Sequence, residues 1–277
     1  MYNDTINNFV AAAETKLELL RRSPVGFFIA SMLAGAYVGL AIILIFTLGS
    51  QVPLEVRKLV MGATFGIALI LVVIAGAELF TGHTMIMALR RYQGRGTWGD
   101  VGATLSASWL GNFCGAALLV ALFVMGGGGG LLDSAQGLVM STAAQKMQAA
   151  APSLFARAVL CNWLVCLALW MSARVSSDSA KCIVIFWCLL AFIACGYEHS
   201  VANMTVLLLA LAGNHPESVT LAGLAWNLGW VTLGNIVGGA VFVAGAYCIA
   251  SPNSRALQPG VQAERQEISV RPYRSNP

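Results

Sequence analysis

Charge is what this 277-residue chain has least of. Only 10% of its residues are Asp, Glu, Lys or Arg and 58% are hydrophobic, against about a quarter charged in an ordinary soluble domain. That balance excludes a soluble globular protein and implies no nucleic-acid partner. Histidine is scarce as well, with three in the whole chain. No His-Glu-x-x-His or Gly-x-Ser-x-Gly pattern occurs, so neither a zinc hydrolase nor a serine hydrolase is indicated, and the chain is not read as an enzyme. The seven cysteines, Cys114, Cys161, Cys166, Cys182, Cys188, Cys195 and Cys248, lie in apolar stretches without a pairing motif. They read as small packing residues; no disulfide, metal or other cofactor is implied.

What is present is a series of long apolar runs. With about 20 residues needed per crossing, the runs at 23–54, 59–89, 101–132, 158–173, 182–213 and 218–254 predict six transmembrane helices, the second and fifth interrupted by a glutamate. Basic residues orient them. Lys16, Arg21, Arg22, Arg90, Arg91, Arg95, Arg174, Lys181, Arg255, Arg265, Arg271 and Arg274 fall on one side, leaving Arg57, Lys58, Lys146 and Arg157 for the other. The positive-inside rule then places both termini in the cytoplasm. The first 22 residues are polar and contain no apolar signal region, so no cleavable signal peptide is expected and the first span serves as the insertion signal. Residues 1–22 are expected to form an amphipathic helix on the cytoplasmic interface, serving as gate or collar, with apolar Ile6, Phe9, Val10, Ala13, Leu17 and Leu20 at helical spacing. Residues 23–250 form the membrane domain, and 251–277 a disordered cytoplasmic tail.

The chain repeats itself. Gly76-Ala77-Glu78-Leu79-Phe80-Thr81-Gly82-His83-Thr84-Met85 is echoed about 120 positions later by Gly196-Tyr197-Glu198-His199-Ser200-Val201-Ala202-Asn203-Met204. Downstream, Leu110-Gly111-Asn112-Phe113-Cys114-Gly115 is echoed by Leu233-Gly234-Asn235-Ile236-Val237-Gly238. Two halves of three spans each must be inverted relative to one another. A helix interrupted at membrane depth frees backbone groups that lipid cannot satisfy, so both interruptions should face the interior. The half-helix N-termini there offer amides and positive dipole ends, which suit a small anion.

Glu78 and Glu198 read either as a proton relay or as acceptors that tie the freed amides; the acceptor reading is preferred, because exposed carboxylates would repel an anion. With them, Gly76, Gly82, Gly196 and Asn203 are read as the scaffold of the two loops. His199 adjoins the second interruption and has an unperturbed pKa near physiological pH, which favours a pathway role over that of a core histidine bonded to Asn162.

These motifs, together with Cys161-Asn162-Trp163-Leu164-Val165-Cys166-Leu167-Ala168 and Thr232-Leu233-Gly234-Asn235, resemble the formate/nitrite transporter family, and most closely its nitrite branch. The resemblance runs from about Asn3 to Ala250. It implies an aquaporin-like protomer in a homopentamer, each with its own pore in the cytoplasmic (inner) membrane. Thr81 would stand opposite the pore histidine His199, with Asn162 in the same hydrogen-bond set. Leu79 and Val165 would form a cytoplasmic constriction, and Phe65, Leu69 and Phe192 an extracytoplasmic one. Lys146 would draw anions inward.

The expected partners are therefore nitrite, or formate or hydrosulfide, together with protons and membrane lipid. A bare charge at mid-bilayer costs at least about 2.5–3.5 kcal/mol, so two apolar constrictions should stop an anion that stays charged. His199 either supplies a proton or stays neutral and only hydrogen-bonds the passing anion. A neutral-solute channel of aquaporin type shares the plan, but neither interruption carries Asn-Pro-Ala.

Overall fold

The computed structural model describes residues 2–251, so the predicted tail lies almost wholly outside the described residues. Among these residues every regular element is helical. In chain order they are α1 (Asn3–Arg22), α2 (Pro24–Ser50), α3 (Leu54–Gly76), α4 (Phe80–Tyr92), α5 (Trp98–Met125), α6 (Leu138–Gln148), α7 (Ala151–Ser172), α8 (Asp178–Ala194), α9 (Ser200–Ala212) and α10 (Leu221–Ile249). Five of them, α2, α3, α5, α7 and α10, are long and apolar enough to cross a membrane. Outward-facing leucines, isoleucines and tryptophans such as Ile29, Leu40, Leu118, Leu122 and Trp187 are exposed, as in a multi-pass membrane protein whose outer surface meets lipid. The helix α8, with 17 residues, and α9, with 13, are each shorter than a crossing of about 20.

Local chemistry sets the helix starts. Pro24 opens α2, where its missing N–H costs nothing. Thr97 and Asp100 form a reciprocal capping box at α5, and Thr220 caps α10 by accepting from the Gly223 amide. Glycines then allow two helix pairs to approach closely. A Cβ at Gly35 would fall 2.0 Å from the Asn112 carbonyl oxygen and one at Gly115 would fall 1.9 Å from that of Met32, so α2 and α5 meet backbone to backbone. Helices α7 and α10 do the same: a Cβ at Gly234 or Gly238 would lie 2.5 Å from the carbonyl of Phe155 or Val159. The repeated Gly-Asn-x-x-Gly segments thus explain themselves, since their glycines sit at the contact and their asparagines sit between the helices.

Helix α1 lies against α4, α2 and α5. Ile6, Phe9, Val10, Ala13 and Leu17 are buried there, while its polar side forms ion pairs from Glu14 to Arg90 at 2.9 Å and from Arg21 to Asp100 at 2.7 Å.

Candidate functional site

The two glutamate segments are built from corresponding atoms. Gly76 at φ +83° and Gly196 at φ +72° adopt a backbone conformation that side chains disfavour, and each turns the chain out of a helix. After Gly76 the residues Ala77 and Leu79 are extended and α4 begins at Phe80. The Glu78 amide donates to the Ala30 carbonyl at 3.1 Å, and the Glu198 amide to the Arg157 carbonyl at 3.3 Å.

Asn112 and Asn235, both fully buried, hold these turns in place. Asn112 Oδ1 accepts from the Phe80 amide at 2.9 Å, while its Nδ2 donates to the carbonyls of Ser31 (2.7 Å) and Glu78 (3.0 Å). Asn235 Oδ1 accepts from the Ser200 amide at 2.8 Å, and its Nδ2 donates to the carbonyls of Ala158 (2.8 Å) and Glu198 (3.0 Å). Every hydrogen-bonding group of these side-chain amides is engaged with main chain that would otherwise be left unpaired in a medium without water.

This corrects the expected task of the carboxylates. One freed amide in each turn, that of Phe80 or Ser200, is taken up by Asn112 or Asn235, whereas Glu78 and Glu198 bind cations and polar side chains. Glu78 Oε2 accepts from Lys16 Nζ at 2.6 Å and lies 2.6 Å from His83 Nε2. Glu198 Oε2 accepts from Lys146 Nζ at 2.7 Å and from Asn203 Nδ2 at 2.6 Å. Asn203 Nδ2 also donates to Asn227 Oδ1 at 2.8 Å. Each carboxylate is therefore the centre of a small ionic cluster fed by a lysine on the short helix, α1 or α6, that precedes its half of the chain. Spacing gave no signal for Lys16, Asn112 or Asn235 as site residues; the downstream Gly-Asn repeat was the one available hint. Gly82 belongs to α4 and has ordinary helical geometry.

Glu198 is only 3% exposed. Its replacement by alanine would leave the Lys146 ammonium and the Asn203 amide without their acceptor, at a cost of about 1–3 kcal/mol or more. Glu198→Ala is expected to lower the melting temperature and the yield of assembled protein, with Glu198→Gln less damaging. Thermal melts in detergent check this, and a fully stable alanine variant with altered ion preference would place the carboxylate in the permeation path instead.

The two segments differ at most of their other positions, and three of the differences are brought together. His199 stands where the first half has Leu79, and Thr81 where the second has Val201. Asn162 stands where the first has Gly35, by the register in which Ala30 matches Arg157. These three side chains meet. Thr81 Oγ1 lies 3.2 Å from His199 Nε2. Asn162 Nδ2 donates to the Thr81 carbonyl at 3.2 Å, to Thr84 Oγ1 at 2.9 Å and to the Asn235 carbonyl at 2.6 Å. His199 caps α9: its Nδ1 accepts from the Ala202 amide at 3.1 Å. A nitrogen that accepts cannot carry the proton, so the ring's hydrogen resides on Nε2 and points toward Thr81.

Two cavities approach this cluster from opposite ends. One, of about 290 Å³, is lined by Lys16, Glu78, His83, Leu69, Leu79 and Leu169 among others. The other, of about 630 Å³, includes Lys146, Glu198, Phe192 and His199. No residue lines both. Phe65, Leu69, Leu79, Val165 and Phe192 all belong to the large buried apolar core, in which Leu69 and Leu79 border the first cavity and Phe192 the second. The Phe192 ring stacks near His199, with centroids 5.9 Å apart, and meets Phe65 edge-on at 5.3 Å. Phe65, Val165, Thr81 and Asn162 line neither cavity, and Leu69 faces the Lys16 cavity with Leu79 instead of grouping with Phe192 as expected. The position of Leu69 within the wholly apolar stretch 65–76 of α3 is a matter of helix rotation, which such a stretch does not encode.

Comparison with known proteins agrees with this architecture. The family model for "Formate/nitrite transporter" matches residues 3–249. The nitrite transporter NirC of Escherichia coli (strain K12) is 53% identical over 254 residues, covering 92% of this chain and 94% of that one. A solved structure described as an FNT family ion channel superposes with a TM-score of 0.88 at 52% identity, over 90% of this chain and 99% of that one. A pentameric formate channel with formate bound superposes with a TM-score of 0.70 at 28% identity, over 84% and 99%.

Proposed function

The chain belongs to the formate/nitrite transporter family, and from that premise we propose that it carries nitrite across the cytoplasmic membrane through a pore in each protomer of a homopentamer. In this reading the protomer has six inverted spans, α3 with α4 and α8 with α9 each counting as one, as in an aquaporin-like plan. Residues 1–22 form a cytoplasmic element, 23–250 the transport domain and 251–277 a cytoplasmic tail. Both termini are cytoplasmic, which makes the Lys16 cavity the inner vestibule and the Lys146 cavity the outer one.

The observation that carries the proposal is a pair of separate cavities, each holding a lysine–glutamate pair, whose lining residues Leu79 and Phe192 belong to one apolar core, with the His199 imidazole beside Phe192. An anion would pay about 2.5–3.5 kcal/mol to pass as a charge, so it crosses as its conjugate acid. Thr81, His199 and Asn162 supply the polar contacts at this point, while Leu79, Val165 and Phe192 keep bulk water out. The Ala202 amide occupies His199 Nδ1, and this supports His199 as a neutral hydrogen-bond donor from Nε2 over His199 as the net source of the proton. In that case the proton enters with the anion from vestibule water. The scaffold groups around Glu78 and Glu198 fix the loops that present these residues.

Formate is the second reading, favoured by the likeness to the structure with formate bound. The test is uptake by liposomes containing the whole chain, with nitrite, formate and hydrosulfide offered separately. The reading requires nitrite uptake above that of protein-free liposomes and faster than formate uptake. Formate or hydrosulfide uptake without nitrite uptake would overturn the substrate, and uptake of uncharged solutes alone would overturn the anion pathway.

A further inference from the structure

His83 lines the smaller vestibule although it is buried. Its Nε2 lies 2.6 Å from Glu78 Oε2. A carboxylate only accepts, so the ring's hydrogen resides on Nε2 and its lone pair on Nδ1. That Nδ1 is buried and has no hydrogen-bonding partner among the described residues. The other two histidines differ: His199 Nδ1 is taken by the Ala202 amide, and His215 is exposed in the turn after α9.

The duplication sharpens the contrast. Asn203 stands where the first half has His83, and its Nδ2 donates to Glu198 Oε2 at 2.6 Å as His83 Nε2 does to Glu78. One vestibule thus has a side chain that only hydrogen-bonds, and the other has one that also takes up a proton. The neighbours suit a proton that comes and goes. Glu78 Oε2 also accepts from Lys16 Nζ at 2.6 Å, so the cluster is neutral with a neutral ring and carries one positive charge with an imidazolium. The lysine weakens the hold of the carboxylate on that imidazolium. From α2 the ring meets Phe27, with centroids 5.9 Å apart, and no charged residue besides Lys16 and Glu78 lines this cavity.

We propose that His83, oriented by Glu78, is the proton acceptor and donor of the inner vestibule. As the conjugate acid of the anion arrives, its O–H bond breaks, the proton forms an N–H bond at Nδ1, and the anion is left free; the proton then passes to vestibule water. In the outward direction the steps reverse, and Nδ1–H protonates the anion before it enters the apolar core. A donor held in place substitutes for encounter with hydronium, which is scarce at neutral pH, and positioned acid–base groups contribute about 10²–10⁴-fold in rate.

The inference rests on the reading that the anion crosses as its conjugate acid, and the experiment separates the two. Exchange of isotopically labelled nitrite is followed across liposomes containing the whole chain, at equal nitrite and equal pH on both sides, and compared with protein-free liposomes. Either orientation of the protein then counts. His83→Asn copies the second half and retains a donor for Glu78. At neutral pH in dilute buffer it should exchange at least about tenfold more slowly than the wild type. Imidazole in the medium should restore it to within about twofold of the wild type, whereas pyrazole, of the same size and not protonated at that pH, should not. Acidification should narrow the gap as hydronium takes over, and the wild type should ignore imidazole. Gel filtration verifies assembly, with His83→Gln as the second variant. An assembled variant with wild-type exchange, a slow variant restored by neither imidazole nor acid, or a wild type accelerated by imidazole overturns the relay. Wild-type uptake that carries current defeats the conjugate-acid reading itself; silent uptake with an unaffected His83→Asn defeats the relay alone.

Discussion

Replacing His199 by phenylalanine is expected to reduce nitrite uptake by roughly 10- to 100-fold while the protein still assembles. Phenylalanine keeps the ring that packs against Phe192 and deletes the Nε2 hydrogen that faces Thr81. A hydrogen bond to a charged or partly charged group contributes about 1.5–3 kcal/mol, which sets that range. The substitution also removes the acceptor of the Ala202 amide, a loss of about 1 kcal/mol for a helix cap. His199→Asn separates the two effects, because asparagine caps a helix but does not extend to Thr81. It should recover the melting temperature of the wild type and remain slow. Gel filtration, melting and liposome uptake together decide the matter. A phenylalanine variant with wild-type uptake and wild-type pH dependence would leave His199 with a purely structural part.

The larger change in character is expected from the apolar cluster. Leu79 is 5% exposed and Phe192 is 1% exposed, and each lines one of the two cavities. Leu79→Ser together with Phe192→Thr should admit water to the barrier and remove much of the about 2.5–3.5 kcal/mol that excludes a bare anion. Nitrite should then carry current, raised up to about 100-fold over the wild type. The dependence on pH should flatten. In the wild type, uptake should increase as pH falls, because more of the anion carries a proton; a pathway for the charged form has no such requirement. Removing two buried apolar side chains costs stability, about 2–5 kcal/mol for a substitution of this size, so assembly is checked first. An assembled double variant with unchanged current and unchanged pH profile would show that these side chains do not form the barrier.

The parts of this protein legible in its sequence are those that depend on local rules. Apolar run length marked the long helices, and glycine beside glutamate marked the turns at Gly76 and Gly196, where φ is positive. The burial of Ile6, Phe9, Val10, Ala13 and Leu17 follows the 3.6-residue period of α1. The duplicated Gly-Asn segments announced that two parts of the chain do the same thing, but not what they do. That Asn112 ties the turn after Gly76 depends on the close approach of α2 and α5, a tertiary fact. The contact of Lys16 with Glu78, 62 positions apart, depends on where α1 lies. The side of α3 that Leu69 occupies was illegible for a different reason: the stretch 65–76 is apolar on all faces and has no pattern from which its rotation can be read.

Duplication also explains why the site is where it is. Two halves that share Glu78 with Glu198, and Asn112 with Asn235, share a scaffold. The residues proposed for the pathway occur at three of the places where they differ, His199 against Leu79, Thr81 against Val201 and Asn162 against Gly35. The polar group of Thr81, Asn162 and His199 thereby adjoins apolar Phe192.

The central claim, that the anion crosses the barrier as its conjugate acid, is tested most directly by following nitrite, protons and current together in the same liposomes containing the whole wild-type chain. The account predicts that one proton disappears from the outer solution for each nitrite taken up, that no current accompanies uptake, and that an imposed membrane potential leaves the rate unchanged. Uptake matched by an equal current, with no alkalinisation outside and a rate that follows the potential, would contradict it.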